Sequence, residues 1–508
     1  MSFARHLLRG AGLNLMDLVI KTAAVFVLTP VLLKSLGTDG YGTWLLGMSF
    51  VGYLLLADMG MSFSVTRFLA MVLGAKDRQK ETAVLATTTV FYRRAGVVVA
   101  VLSVLAVFVI PYAGWSGETA RNLQWAVGVC GLTTSFRLAL RLSMVLLRAH
   151  VRYDLIAWAS LARTCVQTPA MYVAVLKGYG VPGVALCYAV GDCLEFCLQQ
   201  IFSRKLPKPP EEAVLPEEAT KVRRELFVNA RAIVLTIVGE NLRLGINPFI
   251  INRLHGLEQV SVYSIGLRLI TLLEDLVNAL FGGQLLAAFS QLHGSSDKGQ
   301  LVRSFERVSC ITSGFSFCAM LGATWAAPFF LQRWLGPGME EAYQVMLILS
   351  LPYALRFSHY PAHNLLYALG KAEWMVAMVV GGGAVTLGLG IFAGIHWGLQ
   401  GLIGAVAAVM MVERLLVIPS LLRAGAGIPL SSYLGRCLFF PALKAMLFPA
   451  VYMALTHRYL EADYLRLLLL GSGFGAVFVC SFPWMVLTRE ERARIAGQLL
   501  GRFRRSKA

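Results

Sequence analysis

The side chains of this 508-residue chain that could do chemistry are ionisable groups set inside long apolar runs. Lys21, Arg137, Arg141, Arg268 and Arg356 supply positive charge there, and Asp58, Glu240, Glu274, Asp275 and Glu413 supply negative charge. Such a group costs roughly 2.5–3.5 kcal/mol in hydrocarbon by insertion scales, so it is kept mainly where it faces a polar interior or a partner. Bases so placed can hold an anion, and carboxylates can take up and release a small cation. Each group also has a neighbour that would simply neutralise it. Asp17 lies one turn before Lys21, Asp275 two turns after Arg268, Arg243 one turn after Glu240, and Arg414 beside Glu413. Arg137, Arg141 and Arg148 follow one another at helical spacing and predict a basic stripe, with Arg148 near enough to a helix end to snorkel. Arg163 and Arg243 sit in similar apolar surroundings.

Other patterns carry less. His359 and His363 have the i, i+4 spacing of a metal pair, but no third ligand stands nearby and Pro361 lies between them, so no metal and no cofactor is expected. Gly381, Gly382, Gly383, Gly388, Gly390 and Gly394 lack the strand of a nucleotide loop and predict close helix packing. Nine cysteines fall in apolar stretches without CxxC pairing and read as small buried hydrophobes. The connections expected on the outer side are short and hold no DxD pair, which argues against a glycosyltransferase.

The elements that must position the charges follow from composition. With 57% hydrophobic and 15% charged residues, the chain predicts an all-α polytopic membrane protein. A window of about 20 residues, enough to cross about 30 Å of hydrocarbon, gives about fourteen spans. The first two cover 12–35 and 42–66, and the apolar stretch 12–36 carries Asp17 and Lys21 without a clear cleavage site, so it reads as a retained span. Most Lys and Arg fall in the connections on the side of the N-terminus, which predicts cytoplasmic termini; the net charge of +18 therefore orients a membrane protein and does not call for nucleic acid.

The proline-rich, charged segment 205–225 predicts a linker between a lobe at 1–204 and a second at 226–424. Two further helices at 425–487 and a basic cytoplasmic tail at 488–508 follow. In the tail Ile495, Leu499 and Phe503 share a helical face suited to an anionic inner leaflet. The lobes also repeat. Gly37, Asp39, Trp44 and Gly47 match Gly256, Glu258, Tyr263 and Gly266; Arg137 matches Arg356; Gly180, Gly183 and Asp192 match Gly401, Gly404 and Glu413. These sets predict two pseudo-symmetric bundles of about six helices each, the plan of an alternating-access transporter.

The stretch Leu36–Ala70, with Gly37, Asp39, Tyr41, Gly42 and Trp44 in a G-x-D-x-Y-G-x-W-like pattern, and Lys21 and Pro30 before it, resembles the polysaccharide flippase branch of the multidrug/oligosaccharidyl-lipid/polysaccharide (MOP) superfamily. O-antigen flippases are the most similar group. The resemblance implies two six-helix lobes and a cationic cavity. It also implies outward flipping of polyprenyl-pyrophosphate-linked oligosaccharide at the bacterial cytoplasmic (inner) membrane, without covalent chemistry. Lys21 and Arg268 would then meet pyrophosphate, Arg268 by its planar fork. Lipid-linked oligosaccharide, membrane lipids, a polysaccharide polymerase and glycosyltransferases are the partners it implies. Two alternatives stay open: an ion-coupled multidrug or cation antiporter of the related extrusion family, and a membrane glycosyltransferase or polymerase using the same carrier.

Overall fold

The computed structural model describes residues 2–486 except Lys76, Ser116, Val151, 207–215, 282–284, 286–288, 290–291 and 294–297. The tail at 488–508 and the middle of the 205–225 segment lie outside the described residues. Everything described is helix, turn or short connection, with no strand.

The first helices are α1 (Ser2–Leu54), α2 (Met61–Ala75), α3 (Arg78–Val109), α4 (Gly117–Ala139), α5 (Leu142–Ala149), α6 (Tyr153–Leu176) and α7 (Gly180–Ser203). After the linker come α8 (Pro216–Glu240), α9 (Asn247–His255) and α10 (Leu257–Phe281). The remainder is α11 (Lys298–Leu335), α12 (Glu340–Ser358), α13 (Tyr360–Ala368), α14 (Ala372–Val412), α15 (Ile418–Ala426), α16 (Phe440–Thr456) and α17 (Tyr464–Val486). Two compact units result, Met1–Ser261 and Val262–Ala508, so the division falls later in the chain than the 205–225 segment. The difference comes from α8, whose buried Val222 and Leu226 join the core of the first unit with Val84, Tyr92 and Leu138, and from Phe249 and Leu257, which pack against Leu46, Ile110 and Leu123.

Local chemistry explains where helices stop. Gly37 bends α1 with φ 72° and ψ 173°, and Gly256 separates α9 from α10 with φ 89° and ψ 177°. Positive φ is open to glycine and costly to residues with a Cβ, so the same reversal needs the same residue in both places. Asp77 caps α3, its carboxylate accepting from the Lys80 amide at 3.1 Å.

The repeat is carried by these boundaries. Ala139 and Ser358 end α4 and α12, Ala149 and Ala368 end α5 and α13, and Tyr153 and Ala372 begin α6 and α14, each pair 219 residues apart. Packing repeats as well. A Cβ built on Gly47 would stand 2.8 Å from Cβ of Ala126, and one on Gly266 would stand 2.8 Å from Cβ of Val345.

Among the described residues eight helices are long and apolar enough to cross a membrane, or nine counting α4 and α5 as one bent span, fewer than the sequence predicts. Two of the eight, Met16–Asp58 and Ala372–Ala426, run 43 and 55 residues and are bent inside, at Gly37 and at Trp397–Gly398. Each is longer than the roughly 20 residues one crossing needs. The second predicted span, 42–66, is not continuous. Leu55–Asp58 is a 3-10 turn, Met59 is left-handed (φ 48°), and α2 starts afresh at Met61.

Candidate functional site

In the first unit the charges gather into two clusters. The 3-10 turn after α1 places Asp58 at the start of α2, where its carboxylate accepts from the Ser62 hydroxyl at 2.6 Å and from the Ser62 amide at 3.3 Å. Arg141 reaches the same place from the break between α4 and α5, with Nε 3.2 Å from Asp58 Oδ1 and 2.6 Å from Ser62 Oγ. Because the Ser62 proton points to Asp58, the buried Tyr92 hydroxyl, 3.0 Å away, donates to Ser62. Every polar atom named here has a partner, which is what keeps a buried network stable.

The second cluster joins α4, α6 and α7 around Asp192, whose side chain is 1% exposed. Arg137 Nη1 lies 3.2 Å from one carboxylate oxygen and Arg163 Nη2 lies 2.9 Å from the other. Arg163 also reaches Glu195 at 3.1 Å and Gln167 at 2.8 Å, and its guanidinium stands 5.0 Å from the centre of the Tyr188 ring. Two bases and two acids therefore balance, with no charge left over inside the cluster.

The expected stripe of Arg137, Arg141 and Arg148 is not formed. The chain bends by 49° between α4 and α5, and the first two arginines turn to different acids on different elements. Lys21 pairs with Asp17 at 2.7 Å, and that carboxylate also accepts from Ser160 at 3.1 Å. Glu240 lies 3.5 Å from the fully buried Arg243, which a single π-helical turn, Asn241–Gly245, carries inward.

In the second unit Arg356 Nη2 is 3.0 Å from Glu274, and Tyr353 lies under the guanidinium at 5.6 Å. Glu413 and Arg414 are both buried in the π-helical turn Glu413–Val417. Arg414 donates to His363 Nε2 at 2.8 Å, so that ring carries its proton on Nδ1. His359, buried, donates from Nδ1 to the Leu355 carbonyl at 2.6 Å. One histidine thus faces a cation and the other the backbone, and no metal-binding group of three or more side chains exists among the described residues.

Arg268 stands apart. It is half-buried on α10, its Nε has no hydrogen-bond partner, and no carboxylate pairs with it among the described residues. Asp275, the neighbour expected to neutralise it, is exposed two turns away. A guanidinium held inside an apolar helix without an acid is a ready site for an anion.

The sequence profile described as polysaccharide biosynthesis protein matches residues 7–293, more than half of the chain. The chain belongs to that family. No curated protein matches it by sequence. Among solved structures this polysaccharide biosynthesis family member is similar to the lipid II flippase MurJ in an inward closed conformation, with a TM-score of 0.63 at 14% identity over 96% of this chain and 99% of that one. It is similar to an inward-facing multidrug resistance MATE family transporter of the MOP superfamily, with a TM-score of 0.61 at 13% identity over 78% and 96%. The MATE transporter VcmN of Vibrio cholerae gives 0.58 at 13% over 83% and 98%. At these identities the likeness concerns the fold alone, and with its apolar helices it makes the family member a multi-pass membrane protein.

Sequence reasoning missed Ser62, Tyr92, Asp192 and Glu195 as partners of the buried arginines. Asp192 carried one signal, its match to Glu413 in the repeat, which marked it as a position of interest without naming Arg137 as its partner.

Proposed function

We propose that this chain is a membrane transporter that flips polyprenyl-pyrophosphate-linked oligosaccharide across the bacterial cytoplasmic membrane by alternating access, as a step in cell-surface polysaccharide assembly. Family membership supports the polysaccharide setting, and the fold, shared with a lipid II flippase, supports movement of a lipid-linked sugar. The single observation that carries the ligand's charge is Arg268, a base inside α10 with no acid beside it among the described residues. Its planar fork suits two oxygens of a pyrophosphate, and a charge-assisted pair of this kind contributes about 1.5–3 kcal/mol. Lys21, Arg137, Arg141 and Arg356 each already have a carboxylate within 3.2 Å. Substrate would therefore have to share or displace those acids. Polymerase and glycosyltransferases that act on the same carrier are the protein partners this reading brings with it.

A cation antiporter is the second reading, favoured by likeness to MATE transporters and by the carboxylates of Asp58 and Glu274. Each of these acids is held by an arginine, which leaves less negative charge for a cationic drug.

Purified protein in liposomes should move a labelled polyprenyl-pyrophosphate oligosaccharide between leaflets. Arg268→Ala should weaken its handling about 10–100-fold, the size of the lost pair, and Arg268→Lys should recover part of it. Normal movement by Arg268→Ala would sink the assignment of that residue. Movement of cationic dyes and none of the lipid would decide for the antiporter.

A further inference from the structure

We propose that the groove between α3 and α8 binds an anionic glycerophospholipid, with its phosphate on Arg94 and Arg223 and one acyl chain running up α3. A cavity of about 380 Å³ opens between these two helices of the first unit. Thr87, Phe91 and Arg94 line it from α3, and Thr220, Arg223 and Phe227 line it from α8. The spacings place each set on one helical face. Phe91 and Phe227 meet edge to face at 5.8 Å and join the two walls.

Both arginines are exposed, and neither has an ion-pair partner among the described residues. Two guanidinium groups lining so small a space repel each other until an anion comes between them. Their forked donors match phosphate oxygens.

The level of the site is set by the sequence. Arg94 immediately precedes Ala95–Ile110, a run without a charged residue, so it stands where apolar helix gives way to headgroups. Basic pockets between helices at that level attract anionic lipid. Above it Val97, Val101, Leu105 and Phe108 are exposed on the same face of α3. From residue 94 to residue 108 the helix climbs about 21 Å, more than one leaflet's share of a roughly 30 Å hydrocarbon core.

A free phosphate ion would leave this apolar strip unused. A lipid-linked glycan would need many hydrogen-bonding groups, and beside the arginines the polar lining consists of two threonines. Phosphate joined to an acyl chain is the chemistry that uses both halves of the groove, and the site stands independently of the transport reading.

Native mass spectrometry of the full-length protein in detergent tests it, with phosphatidylglycerol, phosphatidylcholine and inorganic phosphate added in separate arms. Wild type should retain phosphatidylglycerol about tenfold better than phosphatidylcholine, a preference of the size expected for basic side chains at an anionic surface. The double variant Arg94→Gln/Arg223→Gln should bind both lipids alike, and Arg93→Gln, outside the cavity lining, should keep the preference. Equal retention by wild type overturns the proposal without any variant. So does displacement of the lipid by inorganic phosphate, which would mark a free-anion site. Equal loss in Arg93→Gln would mean a diffuse surface effect. A polyprenyl-pyrophosphate sugar bound more tightly than phosphatidylglycerol would reassign the groove to the transported lipid.

Discussion

Asp192 is the residue on which the most buried charge depends. With its side chain 1% exposed between Arg137 and Arg163, it is the carboxylate that pairs with Arg137 and one of the two that pair with Arg163, the other being Glu195. Removing one partner of a buried pair costs about 3–5 kcal/mol, because the charge left behind is uncompensated. Asp192→Asn should therefore lower the melting temperature of the purified protein by several degrees. Asp192→Ala combined with Arg163→Ala should lose less than the two single changes added together. Lys21→Ala should change it hardly at all. Its base is 47% exposed and pairs within one helix turn, a contact of about 0.3–0.5 kcal/mol. Equal losses for Asp192→Asn and Lys21→Ala would refute this ranking. The contrast shows what the sequence could convey. Pairs one turn apart, Asp17 with Lys21 and Glu240 with Arg243, are legible from spacing alone. Arg141 with Asp58 and Arg356 with Glu274 join residues each of which spacing singled out, but more than 80 positions apart, and nothing local says which acid a base will choose.

At the scale of the element, apolarity and charge pull against each other. The helices that carry Arg163, Arg268 and Arg356 are α6, α10 and α12, and none of them is among the helices recognised as spans by length and apolarity. Side chains that give a helix its chemistry also lower its apolarity, so a hydropathy criterion is weakest on the elements of most interest. Breaks are hidden for another reason. A 3-10 turn at Leu55–Asp58 and a bend after Ala139 change backbone direction without interrupting the run of apolar residues. Glycines at close approaches were legible through the repeat, and they yield a test. Ala at Gly47 or Gly266 would put a Cβ 2.8 Å from Cβ of Ala126 or Val345, an overpacking that costs about 1–3 kcal/mol. Both variants should melt earlier than wild type. Gly52→Ala, with nothing within 4 Å, should not, and a loss there equal to the others would remove packing as the cause.

Asp77, which caps α3 well before its uncharged run at Ala95–Ile110, gives the element a pH dependence. Hydrogen bonds from the Lys80 amide and then from its side chain hold the Asp77 carboxyl below the ordinary carboxylate range. A depressed folded-state value means that the cap's contribution is complete above the unfolded-state pKa of about 3.9 and fades as pH falls through the lower folded value. Amide exchange in the first turn of α3 should be slow at neutral pH and should quicken relative to the helix interior below about pH 4. Asp77→Ala should show the quick exchange at neutral pH. Protection unchanged by either acid or substitution would mean that the cap does not hold this helix end.

For the whole molecule, the repeat and the distribution of charge lead to the same orientation. Elements recur at 219 residues with matching ends, so each half passes through the same sequence of turns. Bases crowd the connection before α3 and its first turn, with Lys76, Arg78 and Lys80, and the final segment, with Arg502, Arg504, Arg505 and Lys507. The connection between α3 and α4 holds no charged residue, and the first turns of α4 have Arg121 opposed by Glu118. Short basic connections stay on the cytoplasmic side during insertion, because positive residues resist translocation. A fluorescent protein fused after Ala508 should therefore fold and fluoresce, and alkaline phosphatase fused there should be inactive. Phosphatase inserted at Gly114, in the turn after α3, should be active. Activity at Ala508 with none at Gly114 would invert the molecule in the bilayer. The groove of Arg94 and Arg223 would then lie in the outer leaflet, and the proposed direction of glycan movement would have to be reversed.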